Sequence, residues 1–231
     1  LAQVHEAVAA ANPDRPALIW GDRRWTYQEL TDRTRQFANA LLERGIGVQR
    51  ERAELAGHES GQDHVALYLH NGNEYIEAML ASFKARAAPF NVNYRYVAEE
   101  LQYLLDNARA KVVVFHSTFA PILAEVLPQL EGVELLVQVL DDSGNELLPG
   151  AVEYEALLAS ASAERPDVEW SPDDLYILYT GGTTGMPKGV LWRQHDIFIS
   201  AMGGRPFGQP EPMPDLETVV EVSRNGGAAM M

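Results

Sequence analysis

Between positions 180 and 189 the chain concentrates groups suited to binding anions: Thr180, Gly181, Gly182, Thr183, Thr184, Gly185, Met186, Pro187, Lys188 and Gly189. Glycine lets backbone N–H groups approach a ligand closely and adopt positive φ. Successive amides in such a turn form an anion-binding concavity. The threonine hydroxyls add short donors, and Lys188 adds a mobile positive charge. This set suits a polyphosphate better than a carboxylate or a sugar. A plain hairpin connection between two strands is the other reading of a Gly-rich stretch, and local composition leaves both open. The two commonest nucleotide loops do not fit. A Walker loop has Gly directly before Lys and Ser or Thr after it, whereas Pro187 and Gly189 stand there. The dinucleotide fingerprint needs Gly-x-Gly-x-x-Gly, and counting back from Gly185 and Gly182 puts Thr at 180. Pro187 fixes φ near the exit, which predicts a second strand after the loop instead of a helix.

Other chemistry-bearing clusters are weaker. His58, Glu59, Asp63 and His64 could suggest a metal, but their polar surroundings read as a solvated, mobile loop. His5, His70 and His116 are scattered singles, expected at the surface or in core packing. Tyr94, Tyr96 and Tyr103 could stack bases, but the acidic balance favours packing. Asp173 and Asp174 read as a cap at the start of the strand that feeds the loop.

The elements that must hold the loop alternate along the chain. Residues 18–20 and 25–27 flank a Gly21–Asp22 turn between short strands. Leu30, Thr34, Phe37, Ala38 and Leu41 recur at helical spacing up to Gly45. Residues 50–62 are polar and read as a loop whose length has no evident cause. A strand over 65–69, a helix over 75–83 and an extended piece to Asn93 follow. A third amphipathic stripe runs through Val97, Leu101, Leu104, Leu105 and Ala108, with Glu99 and Glu100 in its first turn. Strands over 112–115 and 135–140, a helix over 122–127 and a short helix over 154–159 complete the series. This alternation predicts an α/β fold with a largely parallel sheet. Residues 203–215 read as an irregular loop, and the tail from Gly203 onward is expected to be poorly held.

Composition limits the function. The chain has 231 residues, 18 basic against 33 acidic, a net charge of −15 and 46% hydrophobic residues. That content supports a packed core. The charge argues against a nucleic-acid binder, which needs clustered Lys and Arg. Zero cysteines remove disulfides, thiolate zinc sites and Cys nucleophiles, and permit a reduced, intracellular setting. No apolar run approaches the ~18–20 residues that cross a bilayer. A soluble chain is expected.

Residues 177–188 closely resemble the signature loop of the adenylate-forming (AMP-binding) superfamily, which includes acyl-CoA synthetases, luciferases and peptide-synthetase adenylation domains. Every position of that pattern is met, with Gly181 where the family often has Ser. Residues 25–30 resemble the family's opening Thr-Tyr-x-Glu-Leu element, and residues 77–95 its helix-then-strand element. The resemblance spans roughly residues 10–200. Residues 91–96 and 189–194 look like the branch that activates fatty acids and steroid side-chain acids. Gln194 stands where relatives carry His, so no role passes to His195.

The resemblance implies ATP-dependent activation of a carboxylic acid to an acyl-adenylate and pyrophosphate, followed by transfer to the CoA thiol. It implies phosphate contacts from Thr180, Gly181, Gly182, Thr183, Thr184, Gly185 and Lys188. Thr184 and Lys188 would be the catalytic members, and Thr184 the ligand of Mg2+. The implied cofactors are ATP and Mg2+, with CoA as co-substrate; the partners are small molecules, and a homo-oligomer is left open. An acyl-AMP ligase, a peptide-synthetase adenylation domain and a non-catalytic nucleotide-binding remnant are the alternatives. Family enzymes are about twice this length. Residues 1–231 are therefore expected to be the amino-terminal part of the large adenylation domain, without the rest of that domain or the small C-terminal domain, and inactive alone. The expected location is cytoplasmic, with peripheral membrane attachment left open.

Overall fold

In this computed structural model the described residues are 1–180 and 186–225. Helix α1 (Ala2–Ala11) is followed by an antiparallel pair, β1 (Pro16–Trp20) and β2 (Arg23–Thr26), and by α2 (Tyr27–Leu42). Gly21 makes the β1–β2 turn at φ +57°, a conformation open to glycine at little cost. A reciprocal cap starts α2: the Glu29 N–H donates to Thr26 Oγ1 (3.2 Å), and the Thr26 N–H donates to Glu29 Oε2 (2.7 Å). The predicted stripe Leu30, Thr34, Phe37, Ala38 and Leu41 is buried along α2.

Then come β3 (His64–Tyr68), α3 (Asn73–Lys84), β4 (Ala88–Asn91), α4 (Ala98–Asn107), β5 (Ala110–His116) and α5 (Ala120–Val126). The remainder is β6 (Leu135–Val139), β7 (Ala151–Glu153), α6 (Tyr154–Ala159), β8 (Leu175–Thr180), β9 (Lys188–Arg193), α7 (Gln194–Ala201) and α8 (Leu216–Arg224). Seven strands form one sheet in the order β7-β6-β5-β3-β4-β8-β9. All neighbours are parallel except β8 and β9, as an α/β fold requires. Among the described residues no helix is long and apolar enough to cross a membrane.

Strands β3 and β5 are near-continuous apolar runs because both sheet faces are covered. Val65, Leu67, Val112 and Val114 pack with Phe37, Leu41 and Tyr154 on one face. Ala66, Tyr68, Val113 and Phe115 pack with Leu101, Leu104 and Leu123 on the other. From β4 the chain crosses back over β3 to reach β5, so the order reverses at β3. In open α/β sheets ligands gather at the carboxyl ends of the strands near such a reversal. Thr180 ends β8 on that edge.

Two features depart from the sequence reading. The three-residue β7 pairs in register with β6 through Val137 and Val152; it is too short to leave a periodic signal. The tail from Gly203 onward is not poorly held through residue 225. Residues 203–215 are irregular as expected, but α8 docks on α1. Asn12 Nδ2 donates to Ser223 Oγ (3.0 Å), and Arg15 donates to the Ser223 carbonyl (2.8 Å). Val219 and Ser223 are buried there. Residues 226–231 lie outside the described residues.

Candidate nucleotide-phosphate site

Strands β8 and β9 form the hairpin that the proline at 187 led us to expect. Its ladder runs from Leu175 opposite Arg193 to Thr180 opposite Lys188. Thr180 and Lys188 are both exposed, and they face each other at the carboxyl edge of the sheet. Gly181, Gly182, Thr183, Thr184 and Gly185 lie between them in the chain and outside the described residues. The hydroxyl and the ammonium are both donors, the right polarity for an anion.

Helix α4 fixes this end of the hairpin. The Tyr103 hydroxyl donates to the Pro187 carbonyl (3.3 Å), and the Tyr179 hydroxyl donates to Asn107 Oδ1 (2.9 Å). Burial pushes the Tyr179 phenol up to about 12, so it stays protonated and keeps donating. Its ring lies across Gly189: a Cβ there would sit 3.0 Å from Tyr179 Cζ and 3.2 Å from Ile177 Cγ2. Glycine next to Lys188 thus leaves room for the Tyr179 ring. The sequence reading gave Tyr103 to packing and did not single out Asn107 or Tyr179; their partners lie 84 and 72 residues away.

The other end is clamped by ion pairs. Asp174, read from sequence as a cap, is 5% exposed and does accept the Ser171 N–H (3.2 Å). Its main partner is Arg86, whose Nη2 and Nε approach it at 2.9 and 3.0 Å. The same guanidinium holds Glu51 at 2.8 and 2.9 Å. Hydrogen bonds that it donates to both carboxylates raise the guanidinium's affinity for its proton, and Arg86 lowers the Glu51 carboxyl in return. Arg86 adopts φ +56°, a left-handed conformation uncommon outside glycine. Gln62 completes the clamp, accepting the Leu175 N–H (2.6 Å) and donating to the Arg86 carbonyl (2.7 Å). Residues 51–62, which had no evident cause in the sequence, therefore anchor the strand that feeds the loop. Gly61 permits this fold-back, since a Cβ would lie 2.1 Å from the Arg50 carbonyl oxygen.

The remaining candidates resolve into structural roles. Among the described residues no three His, Asp or Glu side chains gather as a metal site. Asp63 accepts from the Gly47 N–H and from Gln49, and pairs with Lys111 at 3.2 Å. His64 bonds the Ala108 carbonyl and Ser60 Oγ, so Asp63 and His64 are tied to the fold and are not part of a solvated loop. His70 and His116, expected as isolated singles, are neighbours: the His70 N–H donates to His116 Nδ1 (3.1 Å), and Tyr94 and Phe119 pack around His70. His5 is buried in the core, and half-buried Tyr96 packs against it from outside.

The AMP-binding enzyme family profile matches residues 5–215. The medium-chain acyl-CoA ligase Mig of Mycobacterium avium is 54% identical over 96% of this chain and 40% of its own length. A medium/long-chain-fatty-acid–CoA/3-oxocholest-4-en-26-oate–CoA ligase of Mycobacterium marinum is 39% identical over 93% of this chain and 38% of its own. The crystal structure of the anthranilate CoA ligase AuaEII with anthranoyl-AMP superposes at TM-score 0.74 with 20% identity, over 88% of this chain and 37% of that one. At that identity the likeness speaks for the fold. The chain spans about two fifths of the length of these proteins.

Proposed function

The chain belongs to the AMP-binding enzyme family, and from that premise we propose that it forms the phosphate-binding part of an ATP-dependent acid–CoA ligase. The carboxylate of a fatty or related apolar acid attacks the α-phosphate of ATP, forming an acyl-adenylate and releasing pyrophosphate. The CoA thiol then displaces AMP. The observation that carries the reading is the opposed pair Thr180 and Lys188, exposed at the carboxyl edge of the sheet on a hairpin fixed at both ends. Backbone amides and hydroxyls over 180–185 hold the β- and γ-phosphates in this reading. Lys188 neutralises charge on the departing pyrophosphate, a stabilisation strongest in the transition state. Magnesium would be shared between the nucleotide's oxygens and Thr184, since Mg2+ binds chiefly through substrate phosphates and water.

Residues 1–231 are then the amino-terminal part of the large adenylation domain. The relatives, more than twice as long, support assigning the remaining catalytic groups to sequence outside this chain. The activities named for the two mycobacterial ligases favour an apolar acid as substrate. A cytoplasmic location fits ATP and CoA as co-substrates. Calorimetric titration of the 231-residue chain with Mg·ATP tests the site: Lys188→Ala and Thr184→Val are each expected to weaken binding by about tenfold. In a longer enzyme containing this chain, the same changes are expected to slow pyrophosphate release by roughly a hundredfold. Unchanged turnover would sink the assignment. Thioester formation by the 231-residue chain alone is expected to be absent, and robust activity would overturn its reading as a part.

A further inference from the structure

Strands β3 and β5 lie side by side, but the chain leaves their carboxyl ends towards opposite faces of the sheet. From β3 it runs to α3, which packs on the face of Leu67; from β5 it runs to α5, which packs on the face of Phe115. Such a divergence opens a crevice between the two strand ends. One hydrogen bond spans it. The His70 N–H, just beyond β3, donates to Nδ1 of His116, the last residue of β5 (3.1 Å). The two imidazoles lie 5.7 Å apart, centre to centre, and Tyr94 and Phe119 pack on His70 at 4.9 and 4.7 Å. His70 is exposed and His116 half-buried, so solvent protons reach the pair.

We propose that this bond is a pH-sensitive latch across the crevice, closed while His116 is neutral and opened when its ring takes up a proton. To accept the His70 N–H, Nδ1 must carry a lone pair, which puts the ring's one proton on Nε2. In the imidazolium both ring nitrogens are donors. The backbone N–H and the Nδ1–H would then point at each other, and the ring or the loop must turn away. Two charges act on His116: the neighbouring His70 opposes its protonation, and Asp141, just past β6, favours it. Burial is the largest influence, and His116 holds its proton less tightly than an ordinary histidine. The latch therefore opens on the acid side of about pH 6.5. Asp141 accepts the Thr118 and Ser143 N–H groups, each at 2.9 Å, which keeps it ionised as a counter-charge for the imidazolium. The other charges on adjoining elements are engaged elsewhere: Arg95 lies over the Tyr94 ring, and Glu74 in the first turn of α3 pairs with Arg23. The proposal does not depend on the phosphate-loop reading.

Nitrogen NMR of the 231-residue chain between pH 8 and pH 5 tests it, read at the His116 ring and at the His70 backbone amide. At pH 8 the His116 ring is expected as the tautomer with its proton on Nε2. On acidification the His70 amide resonance should move with the same midpoint as the His116 ring. Its protection against hydrogen exchange should fall about tenfold, as the loss of one hydrogen bond implies. His116→Asn keeps an acceptor oxygen in place of Nδ1 and cannot titrate, so the amide should stay protected at pH 5 in that variant. His70→Gln keeps the backbone N–H and removes the neighbouring imidazole; the amide should still follow His116, at a higher midpoint. A proton on Nδ1 at pH 8 would overturn the proposal. So would a His70 amide that ignores the His116 titration, or equal loss of protection in wild type and His116→Asn. Should His116→Asn not fold, a residue-70 amide that fails to follow His116 in His70→Gln overturns it as well.

Discussion

Gly189 shows how closely a single residue can be specified. Gly189→Ala would push a methyl group against the Tyr179 ring; a loss of about 1–2 kcal/mol is expected, read by urea denaturation. Tyr103→Phe removes one hydrogen bond to the Pro187 carbonyl, and a loss of about 1 kcal/mol is expected. Weaker Mg·ATP binding should accompany it, since Pro187 directly precedes Lys188. His5 supplies a pH dependence. Its folded-state pKa lies below the ordinary histidine value, so as pH falls from about 6.5 towards 3 the unfolded chain takes up a proton that the folded chain refuses. Stability therefore drops on acidification, by up to ~1.4 kcal/mol per pH unit from this group. Comparing wild type with His5→Leu in denaturant titrations at pH 7 and pH 5 isolates it: the gap should widen in favour of the variant at pH 5. At this scale the strands on either side of the loop were legible, and Thr180 and Lys188 lie at their paired ends. Tyr103, Asn107 and Arg86 were not legible, because their partners are fixed only by the tertiary fold.

The elements reveal why the 51–62 segment exists. It carries Glu51 and Gln62 to the start of β8, where they meet Arg86 and Asp174. Arg86→Met would leave the Asp174 carboxylate buried without its cationic partner. Loss of about 3–5 kcal/mol is expected, measurable by thermal or chemical denaturation, and far exceeding the effect of changing an exposed charge such as Glu54. Helix α2 and strands β3 and β5 were legible from periodicity and apolar runs, because each buries a whole face. Strand β7 has three residues and none of them fully buried, so no local pattern marks it. Helix α8 follows thirteen residues of Gly- and Pro-rich sequence over 203–215, and it is held by Asn12 and Arg15 from the far end of the chain. Its docking could not be read locally.

For the molecule as a whole, the charge of −15 acquires a specific consequence. The net field repels a nucleotide, so any affinity for ATP must arise from donors within a few ångströms, such as Lys188 and the amides near it. Added salt should then leave Mg·ATP affinity of the chain flat or slightly raised, the reverse of a protein steered by net positive charge. The sheet also divides unevenly. Strands β3 to β7 adjoin one another through ladders of several residue pairs, whereas β8 shares one ladder pair with β4, Phe90 and Ile177, and is joined to it otherwise by packing of Leu175 and Ile177 in the core. Those two residues are far apart in the chain, so their meeting closes a long loop, which slows formation and gains little until the Arg86 clamp is also in place. The five parallel strands can assemble as a unit before the hairpin arrives. The hairpin that would meet the nucleotide is therefore expected to be secured late, and in hydrogen exchange the amides of β9 should open before those of β3 and β5.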